Sequence, residues 1–355
     1  MSHMFVPGPV DVAPEVLAAQ AKPMLPHRSK EFEEIFRRTE AKAKQLFFTE
    51  GIVFQFSGSG SALQEAGIRN FVQESVLACV NGAFSQRWSE VAATNGKKVD
   101  LLEVEWGQAI SPDVLADALK QKHYEAVTIV HNETSTGVMN PIKELAAVVH
   151  EVSPDTLILV DAVSSLGGAR IEMDAWGLDW LLTSSQKCLA LPPGLALASP
   201  SERAMKKAET VENRGWYLDV LRMNKHRMKD STPATPVMPL IYALDVQLDR
   251  ILAEGLDNRF ARHQQMAECV NDWAEAHGMT NFAAKGCRSH TVVTINNERG
   301  INISELNKFL LQRGMRISNG YGKLKEKTFR IATMGETTMQ DVDALLTAMD
   351  EYLAK

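Results

Sequence analysis

Two charged residues, Asp161 and Lys187, have the types and the placement to carry chemistry. Asp161 ends the apolar run Leu157–Val160, and Lys187 follows a second apolar patch, Trp180-Leu181-Leu182. A buried parallel strand that ends in a charge brings that charge to the carboxyl end of a sheet, where α/β folds bind ligands. Chemistry with pyridoxal 5′-phosphate (PLP) needs a lysine to hold the aldehyde as a Schiff base and an aspartate to keep the pyridine nitrogen protonated. The pair therefore predicts a PLP site, with Lys187 and Asp161 as its catalytic residues.

A turn rich in glycine and serine, residues 57–61, separates the strand Ile52–Phe56 from a helix that begins near Ala62. Such a turn exposes backbone N–H groups at the positive end of a helix, which is a ready anion site. It lacks the lysine of a P-loop and a complete G-x-G-x-x-G pattern, so nucleotide binding is disfavoured. Structural explanations without a ligand stay open at this point. The turn could be a flexible surface turn, Asp161 could cap a helix, and Lys187 could be solvated.

The composition is that of an ordinary globular protein. The chain has 355 residues, 45% hydrophobic and 23% charged, with a net charge of −6, which does not indicate a nucleic-acid surface. No apolar run approaches the ~20 residues that span a bilayer, and no signal peptide is visible, so we expect no membrane partner. The four cysteines lack metal-site spacing, which favours free thiols in the cytoplasm and no metal. Residues 1–4 look like an expression-tag remnant and are expected to stand outside the fold.

The order of the elements predicts an α/β fold with a mostly parallel sheet. Strand-like runs are followed by helical patterns, which is typical of helices covering both faces of a sheet. The predicted strands are Ser75–Val80, Val99–Val104, Ala126–His131, Leu157–Val160 and Leu181–Thr183, and the helices between them Pro112–Lys122, Ile142–Glu151 and Ala175–Leu178. A loop near residues 229–240 then leads into two long helices and a smaller α+β unit. We expect an N-terminal segment 1–15 along the active site, a large domain 16–245 and a small domain 246–355.

Several motifs together resemble the fold-type-I, class V PLP-dependent aminotransferases, and most closely the alanine–glyoxylate / serine–pyruvate group. The resemblance covers nearly the whole chain. The motifs that carry it are Pro7-Gly8-Pro9, His27-Arg28-Ser29, Ser57-Gly58-Ser59-Gly60, residues 131–138, Val160-Asp161-Ala162-Val163-Ser164-Ser165, Ser185-Gln186-Lys187, Pro192-Pro193-Gly194-Leu195 and residues 329–335.

The resemblance implies roles for individual residues. The cofactor-binding set that it implies is Ser59, Gly60, Ser61, Phe84, Thr134, Asp161, Val163, Gln186, Lys187 and Thr235. Within this set, Phe84 stacks on the pyridine ring where many relatives have tryptophan, and Val163 packs on the opposite ring face. Thr235 reaches the phosphate in the neighbouring subunit, which implies a homodimer with shared active sites. Arg330 binds the substrate α-carboxylate as a bidentate fork, and Gly8 and Pro9 line the substrate pocket.

The resemblance implies a ping-pong transaminase. We expect it to move an amino group from a small amino acid, alanine or serine, to a 2-oxo acid, glyoxylate or pyruvate. Aspartate or phosphoserine is the alternative donor. Either would need a second cation, for which Arg28, Arg316 and Lys323 are the candidates. A cysteine desulfurase that uses Cys287, or a binding protein that has lost catalysis, is a more distant interpretation.

Overall fold

The computed structural model describes residues 3–354, in which thirteen strands and twelve helices occur. The strands are β1 (His3–Phe5), β2 (Phe54–Gly58), β3 (Ser75–Val80), β4 (Lys98–Glu103), β5 (Ala126–Val130), β6 (Asn132–Glu133), β7 (Val138–Met139), β8 (Leu157–Asp161), β9 (Trp180–Ser184), β10 (Gly194–Pro200), β11 (Val292–Asn296), β12 (Met315–Asn319) and β13 (Thr328–Ala332). The helices are α1 (Pro14–Ala19), α2 (Lys30–Phe47), α3 (Gly60–Phe71), α4 (Ala83–Thr94), α5 (Pro112–Gln121), α6 (Ile142–Val152), α7 (Glu202–Thr210), α8 (Val220–Arg227), α9 (Met238–Glu254), α10 (Leu256–Ala276), α11 (Ile303–Leu311) and α12 (Met339–Leu353).

A seven-stranded sheet in the order β2-β10-β9-β8-β5-β3-β4 forms the centre of the large unit. Its strands run parallel except β10, which is antiparallel to both neighbours. Alternate residues of β8 enter different cores: Ile158 and Val160 pack on one face of the sheet, Leu157 and Leu159 on the other. Because helices cover both faces, the central strands are apolar on both sides, as the sequence indicated. The predicted fold class is confirmed.

A four-stranded sheet in the order β1-β12-β13-β11 forms the small unit, with α10, α11 and α12 packed around its own core. Its edge strand β1 pairs in parallel with β12, so that His3 lies opposite Met315 and Phe5 opposite Ile317. Phe5 is fully buried in this core. The expectation that residues 1–4 stand outside the fold is therefore wrong for His3 and Met4, while Met1 and Ser2 lie outside the described residues.

The chain passes from one core to the other at the end of α9. Leu248 and Ile251 of this helix are buried against the large sheet, and α10 then enters the small core after Gly255. The expected boundary at residues 245 and 246 falls inside α9. Gly255 has φ of 82°, a left-handed conformation that favours glycine, and it separates the two helices.

One predicted helix is wrong, and several elements were missed. The segment Ala175–Leu178 forms turns, because the Asp174 carboxylate accepts hydrogen bonds from Thr49 Oγ1 (2.6 Å) and Glu50 N (2.8 Å) and Gly177 takes a φ of 64°. The elements that the sequence patterns did not predict are β1, β6, β7, β10, β12, α4, α7 and α8.

Candidate active site

The carboxyl ends of β2, β3, β5, β8 and β9 meet at one edge of the large sheet. Parallel strands bring their following loops together there, which is where α/β folds bind ligands. A cavity of about 140 Å³ lies at this edge. Its lining residues are Ser59, Gly60, Ser61, Gln64, Phe84, Arg87, Val130, Asn132, Thr134, Asp161, Val163, Ser164, Ser184, Gln186 and Lys187.

Asp161 presents a buried carboxylate to the cavity from the last position of β8. Its Oδ1 accepts a hydrogen bond from Val163 N at 2.8 Å, and its Oδ2 accepts one from Gln64 Nε2 at 2.6 Å. Burial raises the pKa of Asp161 to about 6, although these two hydrogen bonds favour the charged form. A carboxylate that is held rigidly and lacks a cationic hydrogen-bond partner is suited to accept a positive group from a ligand.

Lys187 is the third residue of the loop after β9, and burial lowers the pKa of its amine to about 8. Its Nζ donates a hydrogen bond to the carbonyl oxygen of Pro7. Gly8 has φ of 93°, and a Cβ at this position would come within 2.6 Å of Lys187 Cδ. The N-terminal segment therefore packs directly on the lysine side chain. Gly8 takes part through this contact, whereas Pro9 does not line the cavity.

The turn between β2 and α3 forms the anion-binding part of the cavity. Ser59 precedes the first residue of α3 without capping the helix through its side chain. A Cβ on Gly60 would come within 2.5 Å of Val163 Cγ2 and 3.5 Å of Ser184 Oγ, so only glycine lets the helix terminus approach the loop after β8. The N–H groups of a helix terminus favour an anion such as a phosphate.

Three side chains of the cavity wall carry buried polar atoms with no hydrogen-bond partner among the residues that the structure describes. They are the hydroxyl of Ser184, Oδ1 of Asn132 and Oε1 of Gln64. Buried polar atoms are almost always paired in native proteins, so these three indicate a polar ligand. Together with the glycine cradle at Gly60, they fit a phosphorylated pyridine ring of the kind that PLP has.

Phe84 is held at the start of α4 by a buried carboxylate. Glu133 Oε2 accepts hydrogen bonds from the backbone N–H groups of Phe84 (3.1 Å) and Ser85 (2.9 Å), and Oε1 accepts one from Ser135 Oγ at 2.7 Å. A negative charge at a helix N-terminus is stabilising. Glu133 thereby fixes the position from which the Phe84 ring enters the cavity.

Arg330 reaches the same region from β13 of the small sheet. It is 7% exposed, and its Nε and Nη1 donate to the carbonyl oxygens of Asn319 (3.1 Å) and Thr134 (3.3 Å). Burial lowers the pKa of Arg330 to about 10, so the guanidinium stays charged at neutral pH. The Thr134 side chain shares a hydrogen bond of 2.6 Å with the Ser164 hydroxyl.

Other predicted residues lie apart from the cavity. Thr235 lines a separate small pocket with Ser57 and Tyr217, and Cys287 lies on the loop before β11. Of the expected second cations, Arg28 and Arg316 are exposed away from the cavity, and Lys323 places Nζ 3.7 Å from the centroid of the Trp106 ring. Burial raises the pKa of the Cys287 thiol, which disfavours a nucleophilic thiolate.

The sequence patterns missed seven polar or aromatic residues of this region: Gln64, Arg87, Asn132, Glu133, Ser164, Ser184 and Tyr321. Arg87 Nη2 donates to the Tyr321 hydroxyl at 3.0 Å, and the Tyr321 ring stacks on Phe84 with centroids 5.2 Å apart. The only signal for Arg87 was its place one turn after Phe84 on a helix, which puts both on one face. Ser184 and Glu133 carried no signal, because the unpaired hydroxyl of Ser184 and the backbone N–H partners of Glu133 arise only in the folded structure.

A wider groove of about 930 Å³ lies at the opposite edge of the large sheet. Its buried charge, Asp179, is paired with Arg203 (Nε to Oδ1, 3.1 Å) and with the Ser201 hydroxyl at 2.6 Å. The hydrogen-bonding groups of Asp179, Arg203 and Ser201 pair with one another. The buried polar groups that could act on a ligand therefore lie at the other edge of the sheet. Within residues 3–354, no cluster of side chains could hold a metal ion, and no helix is long and apolar enough to cross a membrane.

Comparison with known proteins agrees with this geometry. The profile of the family described as Aminotransferase class-V matches residues 15–345. An uncharacterized aminotransferase of Methanocaldococcus jannaschii is 38% identical over 98% of this chain and 91% of its own length. The L-aspartate–glyoxylate aminotransferase of Paracoccus denitrificans is 33% identical over 94% of this chain and 87% of its own.

A solved structure gives the same result for the fold. The alanine–glyoxylate aminotransferase of Nostoc sp. superposes with a TM-score of 0.93 at 31% identity, over 99% of this chain and 95% of that one. The fold-type-I architecture and the family resemblance drawn from the motifs are thereby confirmed. The chain belongs to the class-V aminotransferases and is an aminotransferase.

Proposed function

We propose that this aminotransferase binds PLP in the cavity at the carboxyl edge of the large sheet. We further propose that it moves an amino group from alanine or serine to glyoxylate or pyruvate by a ping-pong mechanism. The observation that carries the proposal is the convergence of the Lys187 amine and the Asp161 carboxylate on one cavity. Two of the relatives above are named for glyoxylate, which supports it as the acceptor.

The residues that would hold the cofactor are those with unsatisfied or convergent polar groups. Backbone N–H groups of Gly60 and Ser61, with the Ser184 hydroxyl and Gln186, would take the phosphate. Phe84 and Val163 would cover the two ring faces. When bound, PLP supplies an electron-accepting ring that makes the Cα–H bond of the amino acid acidic.

Asp161 would hold a proton on the ring nitrogen. In a dry cavity its carboxylate stabilises an adjacent positive charge, and that charge in turn lowers the pKa of the aspartate. Gln64 and the backbone of Val163 keep the carboxylate in place. The role requires charge at position 161, so an amide cannot replace it.

Lys187 would anchor the cofactor and then act as the base at the substrate. Burial lowers the pKa of its amine to about 8, so roughly one molecule in ten has a neutral amine at pH 7. The neutral Nζ would accept the proton from the substrate Cα and then give it to the cofactor carbon that retains the amino group. The Pro7 carbonyl keeps Nζ at this edge of the cavity.

Arg330 would bind the substrate carboxylate. Two of its nitrogens are bonded to backbone carbonyls, whereas Nη2 makes no hydrogen bond within residues 3–354. No carboxylate of the described chain forms an ion pair with it. A buried guanidinium without an anion is a binding site for one.

A homodimer with shared sites is part of the proposal. Thr235 does not line the cavity of its own chain, which is consistent with a role in a partner's site. Trp216 and Tyr217, in the same region, are about half exposed, at 54% and 47%, and would be covered in a dimer. A cytoplasmic location is likewise proposed, and the four free cysteines support it.

The test is the visible absorption of the purified protein before and after single amino acids are added. We expect an absorption band from bound cofactor that disappears with alanine or serine, and that is absent from Lys187→Ala. Lys143→Ala, which removes an exposed lysine of α6, is the matched control and should keep the band. A wild-type protein that gains no band with added PLP would contradict the cofactor assignment.

A further inference from the structure

We propose that Arg87 is a second substrate anchor, and that the site accepts dicarboxylic amino acids through Arg87 and Arg330 together. The inference rests on the proposed function and extends its substrate class. It assigns the α-carboxylate to Arg330 and the distal carboxylate to Arg87.

Arg87 is a half-buried cation on the cavity wall. It lies one helical turn after Phe84 on α4, and its Cζ is 4.9 Å from the centroid of the Phe84 ring. Its charge helps to lower the pKa of Lys187, although less than burial does. The guanidinium is therefore close enough to act on a molecule that reacts at Lys187.

Tyr321 lies between the two arginines. Its hydroxyl accepts a hydrogen bond from Arg87 Nη2 at 3.0 Å, and Arg330 Cζ is 5.5 Å from its ring centroid. Tyr321 belongs to the loop between β12 and β13, so it comes from the small sheet whereas Arg87 comes from the large unit. The two cations thus face a common space from two sides.

Neither arginine has a carboxylate partner within residues 3–354. Other half-buried arginines of the described chain do have one: Arg227 donates to Glu40 at 2.7 Å, and Arg262 donates to Glu254 at 2.7 Å. The partner of Arg87 is a neutral hydroxyl, whereas a carboxylate would add Coulomb attraction and could accept two hydrogen bonds from the same guanidinium. A carboxylate that enters the cavity would therefore displace Tyr321 from Arg87.

The neutral partner also suits a site that must bind different substrates in turn. A ping-pong enzyme binds its donor and its acceptor at the same place. With a small substrate that has one carboxylate, Arg87 stays on Tyr321 and Nη2 keeps its hydrogen-bond partner. With a dicarboxylic substrate, Arg87 exchanges the hydroxyl for the distal carboxylate.

The experiment compares aspartate with alanine as donors to the holoenzyme, through the loss of the cofactor band. In Arg87→Gln we expect the ratio of kcat/KM for aspartate to that for alanine to fall about 50-fold, since a charged hydrogen-bonded pair is lost for one donor only. Arg330→Gln should lower kcat/KM for both donors by a similar factor, so that their ratio changes little. Arg316→Gln removes an exposed arginine of the small sheet as a matched control for charge and should leave the ratio unchanged.

A second measurement does not depend on turnover. Maleate is a dicarboxylate without an amino group, and acetate has one carboxylate; their dissociation constants can be measured by calorimetry. We expect Arg87→Gln to raise the dissociation constant of maleate at least 10-fold, on the order of one lost charged hydrogen bond, and to change that of acetate much less.

Three results would each overturn the inference. The first is an unchanged donor ratio in Arg87→Gln, and the second is a wild-type enzyme that does not react with aspartate. The third is a maleate dissociation constant that is the same in Arg87→Gln as in the wild type. If alanine or serine still reacts in these cases, the proposed function stands and only the Arg87 assignment fails. If no amino acid reacts with the wild type, the proposed function fails, and maleate binding still decides whether Arg87 is an anion site.

Discussion

The carboxylate of Asp161 carries an electrostatic cost that only a ligand can offset. Its side chain is 5% exposed, and both of its hydrogen bonds come from neutral donors. Burial raises its pKa to about 6, above the ordinary value of 3.8. The folded protein therefore binds a proton here more tightly than the unfolded chain does. Without cofactor, its stability falls as the pH rises from about 4 to above 6.

We predict that Asp161→Asn stabilises the cofactor-free protein at pH 7.5. A pKa that is raised by about 2 units corresponds to at most about 3 kcal/mol of unfolding free energy. The gain should vanish near pH 4, where the carboxyl is neutral in both states. Urea unfolding at the two pH values measures it.

The same substitution should weaken PLP binding, so stability and affinity change in opposite directions. Asp343→Asn, at an exposed position of α12, serves as the control and should show neither effect. A loss of stability at pH 7.5 in Asp161→Asn would contradict the prediction. It would mean that the hydrogen bonds of the carboxylate stabilise the folded protein by more than the burial of its charge destabilises it.

At the scale of elements, the N-terminal segment is the structure that confines Lys187. Strand β1 fixes one end of the segment in the small sheet, and Val10 N donates to the Gln186 carbonyl at 3.2 Å at the other. Between these points Gly8 passes against the lysine methylenes. The backbone takes a left-handed conformation there, which only glycine adopts at low cost.

We predict that Gly8→Ala impairs cofactor binding by displacing the Lys187 side chain. A Cβ would lie 2.6 Å from Lys187 Cδ. The matched control is Gly286→Ala, because Gly286 has nearly the same φ, 94° against 93°, but no atom within 4 Å of the added Cβ. Both variants should lose about 1–2 kcal/mol of stability from backbone strain.

Cofactor titration followed by absorbance distinguishes the two variants. Only Gly8→Ala should lose PLP affinity, by about 10-fold or more, given the 1–3 kcal/mol cost of an overpacked contact. Equal PLP affinities in the two variants would show that the contact between Gly8 and Lys187 does not affect cofactor binding.

The elements that the sequence revealed are those whose pattern is local. Apolar runs that end in Asp161 or lead to Lys187 identify central strands, because burial on both faces leaves no other composition open to them. The strand β12 carries Arg316 and Asn319 among its five residues, and β1 was set aside as a remnant. The two strands pair with each other, His3 with Met315 and Phe5 with Ile317, and no local pattern encodes a contact between residues so far apart in the sequence.

The site divides in the same way. Its glycines, Asp161 and Lys187 follow from where strands end, so their meeting could be predicted from the order of the elements. Arg87 and Tyr321 come together only when the large and small units pack, and Ser184 ends β9 with no sign in the sequence that its hydroxyl is unpaired. Their importance lies in missing partners, such as the unpaired Ser184 hydroxyl, and those are visible only in three dimensions.

At the scale of the whole molecule, the active site requires more than one chain if Thr235 acts across a dimer. We predict that Thr235→Val binds PLP about 10-fold more weakly, because one hydrogen bond to a charged phosphate is lost. The protein should remain a dimer in sedimentation. Thr210→Val, at an exposed threonine whose hydroxyl donates to the Lys207 carbonyl at 2.9 Å, is the control.

Mixed dimers decide whether the threonine acts on its own chain or on its partner's. In a dimer of Thr235→Val with Lys187→Ala, the chain that keeps Lys187 receives Thr235 from its partner, so that site should regain the wild-type affinity. If the threonine serves its own chain, mixing restores nothing. A monomer in sedimentation would dismiss the shared site altogether.

The pairing of β1 with β12 also determines when the first strand can fold during synthesis. Residues 3–5 are made about 310 residues before their partners, residues 315–317. At roughly 5–20 residues per second, the first strand waits on the order of tens of seconds for its neighbour. Throughout that time Phe5 has no core to enter and the segment over Lys187 is unanchored at one end. Completion of the lysine pocket is therefore expected to come after all strands of the large sheet, which end at Pro200, have been made.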